Sequence, residues 1–227
     1  MAAPLLLPDK PGNARMLPDW RTICQQRAMK QAVAEGRKAW KVKSAKAIPF
    51  NHRWEHVRAV VETALWLARQ LGGDLETVEA AAWLHDVRKG EPAHGAAGAR
   101  EARKILEETD FPPDKIAAVT EAIGRHVGLY RPPDAPPLGP LEAAILWDAD
   151  KLTKLGVQAL AYNLSMSYMR GLDLAQRRRN MLEFTQAVLN RTVASMNTLP
   201  ARRLAEQRYQ AMLDVLAGWE REEEELA

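Results

Sequence analysis

Residues 56–73 read HVRAVVETALWLARQLGG, and this stretch decides the fold class. Val57, Val60, Val61, Ala64, Leu65, Ala68 and Leu71 recur at spacings of three and four. That is the period at which side chains stack on one face of an α-helix. The pair Gly72-Gly73 ends the stripe, as glycine does where a helix stops. The same rhythm continues on both sides. A helix is expected over Trp20–Trp40, after Pro18-Asp19. Asp74 is placed to cap a second helix that runs to His85, because a short carboxylate can accept from the free amides of a first turn. Further helices are expected over residues 98–108, 113–126, 173–197 and 201–225. Residues 141–170 are apolar around much of the helix circumference, which predicts one central buried helix. Only RPPDAPPLGP, residues 131–140, must be a loop, because its five prolines remove amide donors and clash with a helical backbone. No sustained apolar/polar alternation, Asn-Gly hairpin signal or fixed-period repeat is present. The expectation is an all-α fold.

The chain has 227 residues, which suits one large domain or one domain with extensions. Hydrophobic residues are 47% and charged residues 27%, a composition that excludes global disorder, collagen and coiled-coil fibre. No apolar run approaches the roughly 18 residues a membrane-spanning helix needs. The N-terminus, MAAPLLLPDK, has no basic region, and its run Leu5 to Leu7 is too short for a secretion signal. A single cysteine, Cys24, rules out an intrachain disulfide, and no catalytic motif surrounds it. These features predict a cytoplasmic protein with no membrane partner. Charge is uneven. Residues 1–46 hold 10 Lys/Arg against 3 Asp/Glu, whereas the rest of the chain holds 22 against 26. A basic arm can touch nucleic acid or polyphosphate. It can equally be the solvated face of a helix packed on the main body, and that plainer reading is preferred. The expected organisation is a basic helical extension over 1–47, a core domain over 48–170, and C-terminal helices over 171–227 packed on that domain.

Chemistry concentrates on the five histidines, His52, His56, His85, His94 and His126, which all fall between residues 52 and 126. His85 is followed by Asp86. A lone His-Asp pair means little, but His56, His85-Asp86, His94, His126 and an aspartate near residue 150 form a constellation. Imidazole and carboxylate ligands suit Fe, Mn, Zn, Co or Ni. Neighbouring helical residues point about 100° apart, so His85 and Asp86 can face one cavity wall. A carboxylate, with two oxygens, can bridge two cations. Cations about 3.5–4 Å apart can clamp a phosphoryl group and acidify a shared water. His52 lies one turn before His56 on the same face, and Asp148 competes with Asp150, from which it is turned by about 200°. Periodicity alone separates neither pair. Other catalytic templates are missing: there is no Gly-x-Ser-x-Gly, no Walker loop and no Gly-x-Gly-x-x-Gly.

The spacing H…HD…H…H…D resembles the HD-domain metal-dependent phosphohydrolases. The segments that carry the likeness are His56-Val57-Arg58, Ala81-Ala82-Trp83-Leu84-His85-Asp86, Ala93-His94-Gly95-Ala96-Ala97-Gly98-Ala99, Ala122-Ile123-Gly124-Arg125-His126 and Ala149-Asp150-Lys151-Leu152. Together they span roughly residues 50–157. The extra His94 and His126, and Lys89 after the HD pair, are similar to the dinuclear branch, nearest to bacterial diadenosine tetraphosphate hydrolases. The stretch after Asp150, Lys-Leu-Thr-Lys-Leu-Gly, is closer to the general HD pattern than to that subgroup.

The resemblance implies an HD-domain helical bundle with extra N- and C-terminal helices. It implies that His56, His85, Asp86 and Asp150 hold a first metal, and that Asp86 bridges to a second held by His94 and His126. It favours His56 over His52 and, through the Ala-Asp-Lys-Leu match, Asp150 over Asp148, which leaves Asp148 as a buried hydrogen-bonding carboxylate. Two divalent ions are expected, Fe or Mn first, with Mg, Co, Ni or Zn also compatible. Lys89, with Asp86, is expected in catalysis as a phosphate neutraliser, and Lys89, Arg125 and Lys154 as substrate contacts. The expected activity is hydrolysis of a nucleotide-like phosphoester or phosphoanhydride by attack of a metal-bound hydroxide. The partner is then a small phosphorylated substrate, preferably a nucleotide. Two rivals share the ligand set: a di-iron oxygenase of the same fold, and a non-catalytic metal-stabilised module that binds nucleotide or nucleic acid.

Overall fold

The computed structural model describes residues 17–225. The readings of the N-terminal decapeptide, including Leu5 to Leu7, and of the first part of the basic extension lie outside these residues. Among the described residues every regular element is helical. In chain order these are α1 (Trp20–Trp40), α2 (His52–Leu71), α3 (Leu75–Leu84), α4 (His94–Glu107), α5 (Ile116–Arg125), α6 (Leu141–Leu152), α7 (Val157–Leu164), α8 (Leu174–Phe184), α9 (Asn190–Ala194) and α10 (Leu199–Glu224). Short 3-10 turns precede α2 and α5 and follow α7, and a π-turn, Thr185–Leu189, joins α8 to α9.

The apolar stripe of α2 is buried as its spacing requires. Val57, Val60, Val61, Ala64 and Ala68 are in the core. Leu65 and Leu71 are only partly covered, and Leu67, outside the expected stripe, is fully buried. The reason is that α2 packs on both α3 and α6, so its buried face is wider than one stripe. Asn51 caps α2 by accepting from the Trp54 amide, and Gly72, at φ 74°, supplies the left-handed residue that ends it. Asp74 caps α3 as expected, accepting from the Thr77 amide at 2.8 Å. The Lys115 ammonium binds Asp74 at 2.7 Å and Glu76 at 2.9 Å, which ties the start of α5 to the start of α3.

One expectation is corrected. Residues 141–170 are not a single helix: α6 ends at Leu152 and α7 starts at Val157. Gly156 sits between them at φ 96°, a conformation that a side-chain-bearing residue rarely adopts, and a Cβ there would meet Arg208 at 3.3 Å. The apolar signal itself is realised in α6, where every residue from Ala143 to Leu152 is buried. Similarly, 173–197 is divided by the π-turn, and the helix expected from residue 98 begins four residues earlier, at His94.

The flanking helices are docked on this core. α1 lies on α2 and α3 through Trp20, Cys24, Ala28, Ala32 and Gly36, mostly small residues spaced by four, and Trp20 meets Phe111 edge-on at 5.1 Å. Its outer face carries the basic residues, with Arg21 paired to Glu79 at 3.0 Å. At the other end, α10 packs on α6, α7 and α8. Asp148 makes the joint. It is fully buried and accepts from the backbone and side-chain amides of Asn197 and from the backbone amide and hydroxyl of Thr198, all at 2.8 Å. No helix of the described residues is long and apolar enough to cross a membrane.

Candidate metal centre

Four helices deliver a buried cluster to one place. His56 comes from the first turns of α2, His85 and Asp86 from the turn that ends α3, His126 from the end of α5, and Asp150 from α6. All five are buried. His94, at the start of α4, is half-covered. The imidazole rings form a chain, with centroids 5.5 Å apart for His56–His85, 5.3 Å for His85–His126 and 5.3 Å for His94–His126.

Asp86 stands at the centre. Its Oδ2 lies 3.5 Å from His85 Nε2 and 3.9 Å from His56 Nε2, and its Oδ1 lies 3.4 Å from His126 Nε2. Two sets of ligand atoms gather within 4.8 Å, His56/His85/Asp86 and Asp86/His94/His126, with Asp86 common to both. Asp150 Oδ1 is 3.3 Å from His56 Nε2, at the margin of the first set.

The tautomers explain what this geometry is for. His85 Nδ1 meets the Ala82 carbonyl at 2.7 Å and His126 Nδ1 meets the Ile123 carbonyl at 2.6 Å. A carbonyl only accepts, so each Nδ1 carries a proton, and each ring turns its Nε2 toward Asp86. His56 differs: its Nδ1 meets Thr153 Oγ1 at 3.0 Å, and that hydroxyl donates to the Asp150 carbonyl at 2.7 Å, but Lys154 Nζ lies 3.2 Å from the same nitrogen and 3.4 Å from Nε2. His85 Nε2, His126 Nε2 and Asp86 Oδ1 are buried without a hydrogen-bond partner. Burial holds the pKa of His56 well below its usual value and lowers those of His126 and His94. Nε2 atoms turned on a buried carboxylate across 3.4–3.5 Å without a hydrogen bond are costly, and a cation between them would satisfy both sides. The donor set of imidazole and carboxylate is one that divalent transition metals accept, and the residues fit such an ion.

Cations surround the two carboxylates. Arg53 donates to Asp86 Oδ2 at 2.9 Å and also binds Glu35 of α1 at 2.9 Å. Lys89 lies 3.3 Å from Asp86 Oδ1 and Lys154 lies 3.3 Å from Asp150 Oδ1. Buried Lys151 pairs with Asp150 and donates to the His126 carbonyl at 2.8 Å. Burial presses the carboxyl pKa values of Asp86 and Asp150 upward, but the neighbouring cations and imidazoles outweigh it and leave both well below the usual carboxylate range. Lys154 is lowered to about 8 by burial, with Asp150 pulling the other way.

The start of α4 shows local strain. Ala93 has φ 51°, a left-handed conformation costly for alanine, and α4 has no side-chain cap. The glycines of the His-Gly-x-x-Gly stretch let α4 approach closely: a Cβ on Gly95 would meet Val127 Cγ1 at 2.6 Å and the Gly124 carbonyl at 3.1 Å, and one on Gly98 would meet the His85 carbonyl at 3.3 Å. Close packing of α4 on α5 is what brings His94 beside His126.

Several residues stand elsewhere. His52 is buried, but its Nδ1 faces the Phe50 carbonyl at 3.2 Å and its ring meets Tyr162 edge-on at 5.4 Å, so it is a packing residue apart from the cluster. Asp148 faces α10, away from Asp150, as the 200° offset requires. Arg125 binds Glu121 at 2.8 Å and the Gly139 carbonyl at 2.8 Å, and so braces the proline loop rather than reaching the cluster. Arg53, Lys151 and Thr153 were not anticipated. Arg53 carried a usable signal, since it lies three residues before His56 on the same helix face.

Fold and site together define an all-helical protein with a buried histidine–aspartate cluster able to hold a metal ion. Residues 53–155 match the HD domain. Among solved structures it is similar to Bacillus subtilis YpgQ in complex with ADP, with 22% identity over 89% of this chain and 95% of that one, at a TM-score of 0.61. An HD-superfamily hydrolase from Bacillus thuringiensis shares 24% identity over 88% and 97% of the two chains, at 0.59. A predicted HD superfamily hydrolase from an uncultured Thermotogales bacterium shares 24% over 92% and 94%, at 0.57. At these identities the likeness establishes the fold. No curated protein matches the sequence.

Proposed function

We propose that this protein is a metal-dependent phosphohydrolase that would hold two divalent ions, with Asp86 in both ligand sets, and act on a nucleotide-like phosphoester or phosphoanhydride. The observation that carries the reading is the convergence of unpartnered Nε2 atoms from His85 and His126 on the two oxygens of one buried carboxylate. His56, His85 and Asp86, with Asp150 at the margin, would hold one ion, and Asp86, His94 and His126 the other. Bound there, the ions would supply an acidified water and neutralise charge on phosphoryl oxygens.

The chain's own groups do the rest. The carbonyls of Ala82 and Ile123 fix the tautomers of His85 and His126, so no ring must reorient. Arg53 and Glu35 hold the Asp86 carboxylate in place. Lys89 reaches the cluster from the solvent side, with about a third of its side chain exposed. It is placed to leave Asp86 for an anionic phosphate, and Lys154 can do the same from Asp150. The ADP bound to YpgQ, and the hydrolase names of the other two structures, agree with a nucleotide substrate and a hydrolytic reaction.

The test is elemental analysis of anaerobically purified protein joined to a nucleotide-hydrolysis screen. Two ions per chain and metal-dependent phosphate release are expected, and Asp86→Ala should lose both. Full turnover in that variant would refute the proposal, and one ion unaffected by His94→Ala and His126→Ala would refute its dinuclear part.

A further inference from the structure

A cavity of about 570 Å³ opens beside the cluster, within the size range of small-molecule sites. It adjoins the centre on one side only. His56, Thr153 and Lys154 line it, whereas Lys89, His94 and His126 do not. Another part of its lining comes from outside the segment 53–155 that matches the HD domain. Gln158, Ala161, Tyr162 and Asn163 of α7, Phe184 at the end of α8 and Arg208 of α10 form it. This part carries two aromatic rings, two side-chain amides and one cation, Arg208, while α2 lines the cavity with Glu55, Arg58 and Glu62. The Gln158 side chain is exposed and has no hydrogen bond among the described residues. Phe184 immediately precedes the π-turn Thr185–Leu189, the only such turn among the described residues. A π-turn inserts a residue into a helix and re-aims the side chains beside it, and such turns favour functional sites. Here the Thr185 hydroxyl is left buried and unpartnered at that turn.

From this arrangement we infer that the cavity is the subsite for the nucleoside part of the substrate, and that α7, α8 and α10, rather than the HD segment, select which nucleoside it is. The inference rests on the phosphohydrolase reading above. The phosphate chain then lies at His56, Thr153 and Lys154, and the base lies against Phe184 and Tyr162. An aromatic face accepts any base, and an unpaired amide can read a base edge.

The test is equilibrium binding to the metal-loaded protein of the α,β-imido analogues of the adenine, guanine, cytosine and uracil nucleoside triphosphates. Imidotriphosphate, the same chain of phosphates without a nucleoside, is the counterpart. Wild type should bind at least one analogue about tenfold or more tightly than imidotriphosphate. Ala161→Trp fills the cavity from an exposed position of α7 and leaves the core untouched. It should weaken that analogue about tenfold or more while imidotriphosphate changes less than about twofold. Phe184→Ala should do the same if its thermal midpoint stays near wild type; Ala161→Trp decides if it does not. The inference is overturned if no analogue outbinds imidotriphosphate, if Ala161→Trp leaves the analogue's affinity unchanged, or if it weakens both ligands equally. The parent reading fails differently. Wild type would then bind the analogue selectively yet release no product from the ordinary nucleotide with any divalent ion, and the cavity would stand as a binding site without that reaction.

Discussion

Asp148 and Asp150 lie two residues apart on one buried helix, yet they are assigned opposite tasks, and substituting each in turn separates them. Asp148→Ala removes one carboxylate and strands four donors, the two amides of Asn197 and the amide and hydroxyl of Thr198. A hydrogen bond to a charged group is worth about 1.5–3 kcal/mol, so a naive sum reaches roughly 6–12 kcal/mol. That sum overshoots, because burying the carboxylate is itself unfavourable: burial raises the pKa of Asp148, and the four donors recover only part of the cost. The applicable figure is that for breaking a buried charged network by removing one partner, about 3–5 kcal/mol. At about 2–4 °C per kcal/mol for a chain of this size, the thermal midpoint should fall by roughly 6–20 °C. Metal content per chain should not change, since Asp148 touches no residue of the cluster. Asp150→Asn should show the reverse pattern, losing metal affinity with a smaller loss of apo-protein stability. Thermal and urea unfolding of metal-free protein give the first quantity, and elemental analysis of folded protein the second. A stability loss below about 1 kcal/mol in Asp148→Ala, or metal lost from it while stability holds, would refute the assignment.

Three more outcomes are expected. Adding Mn²⁺ or Fe²⁺ to metal-free protein at about 100 times Kd should stabilise it by about 2.7 kcal/mol for each ion bound, read as a rise in thermal midpoint that Asp86→Ala abolishes; an equal rise in that variant would place the ions elsewhere. Gly95→Val should cost about 1–3 kcal/mol by pushing α4 off α5, and because His94 begins that helix, the metal count should drop toward one per chain; an unchanged count would show that close approach is not needed. The pKa of Asp74 is pushed up by burial but held below 3.8 overall by Lys115 and the Thr77 amide. The folded state therefore favours the carboxylate. This contribution is present above the unfolded pKa and is lost as pH falls through the folded one. Asp74→Ala, which also removes the α3 cap, should destabilise by about 1 kcal/mol at pH 7 and by less near pH 2 in urea unfolding; a penalty that grows on acidification would contradict this.

The helical class and most elements were legible because an amphipathic helix writes its period into adjacent residues. Trp20–Trp40 and the Asp74 cap are local features, decided by side chains within one turn of each other. The ligand set was legible only as a pattern of residue types. Its members are up to 94 residues apart, and nothing local says that His56 and Asp150 meet at 3.3 Å. His52 shows the limit: one turn from His56 and on a similar face, it packs on Tyr162 because α7 arrives there and the cluster does not.

By itself, the sequence determined that the chain is all-helical, that residues 131–140 are a loop, and that imidazoles and carboxylates suited to a metal are present in an HD order. Those are matters of period, proline chemistry and donor type. Tertiary structure decided the rest. The break at Gly156 follows from a left-handed backbone fitted against Arg208, and Asp148 is turned to α10 because the free amides at the start of that helix need an acceptor. The tautomers of His85 and His126 are set by carbonyls of their own helix ends. Arg53 and Lys151 became part of the centre because α2, α3, α5 and α6 converge around two buried carboxylates, and charge without water must find a partner across the fold.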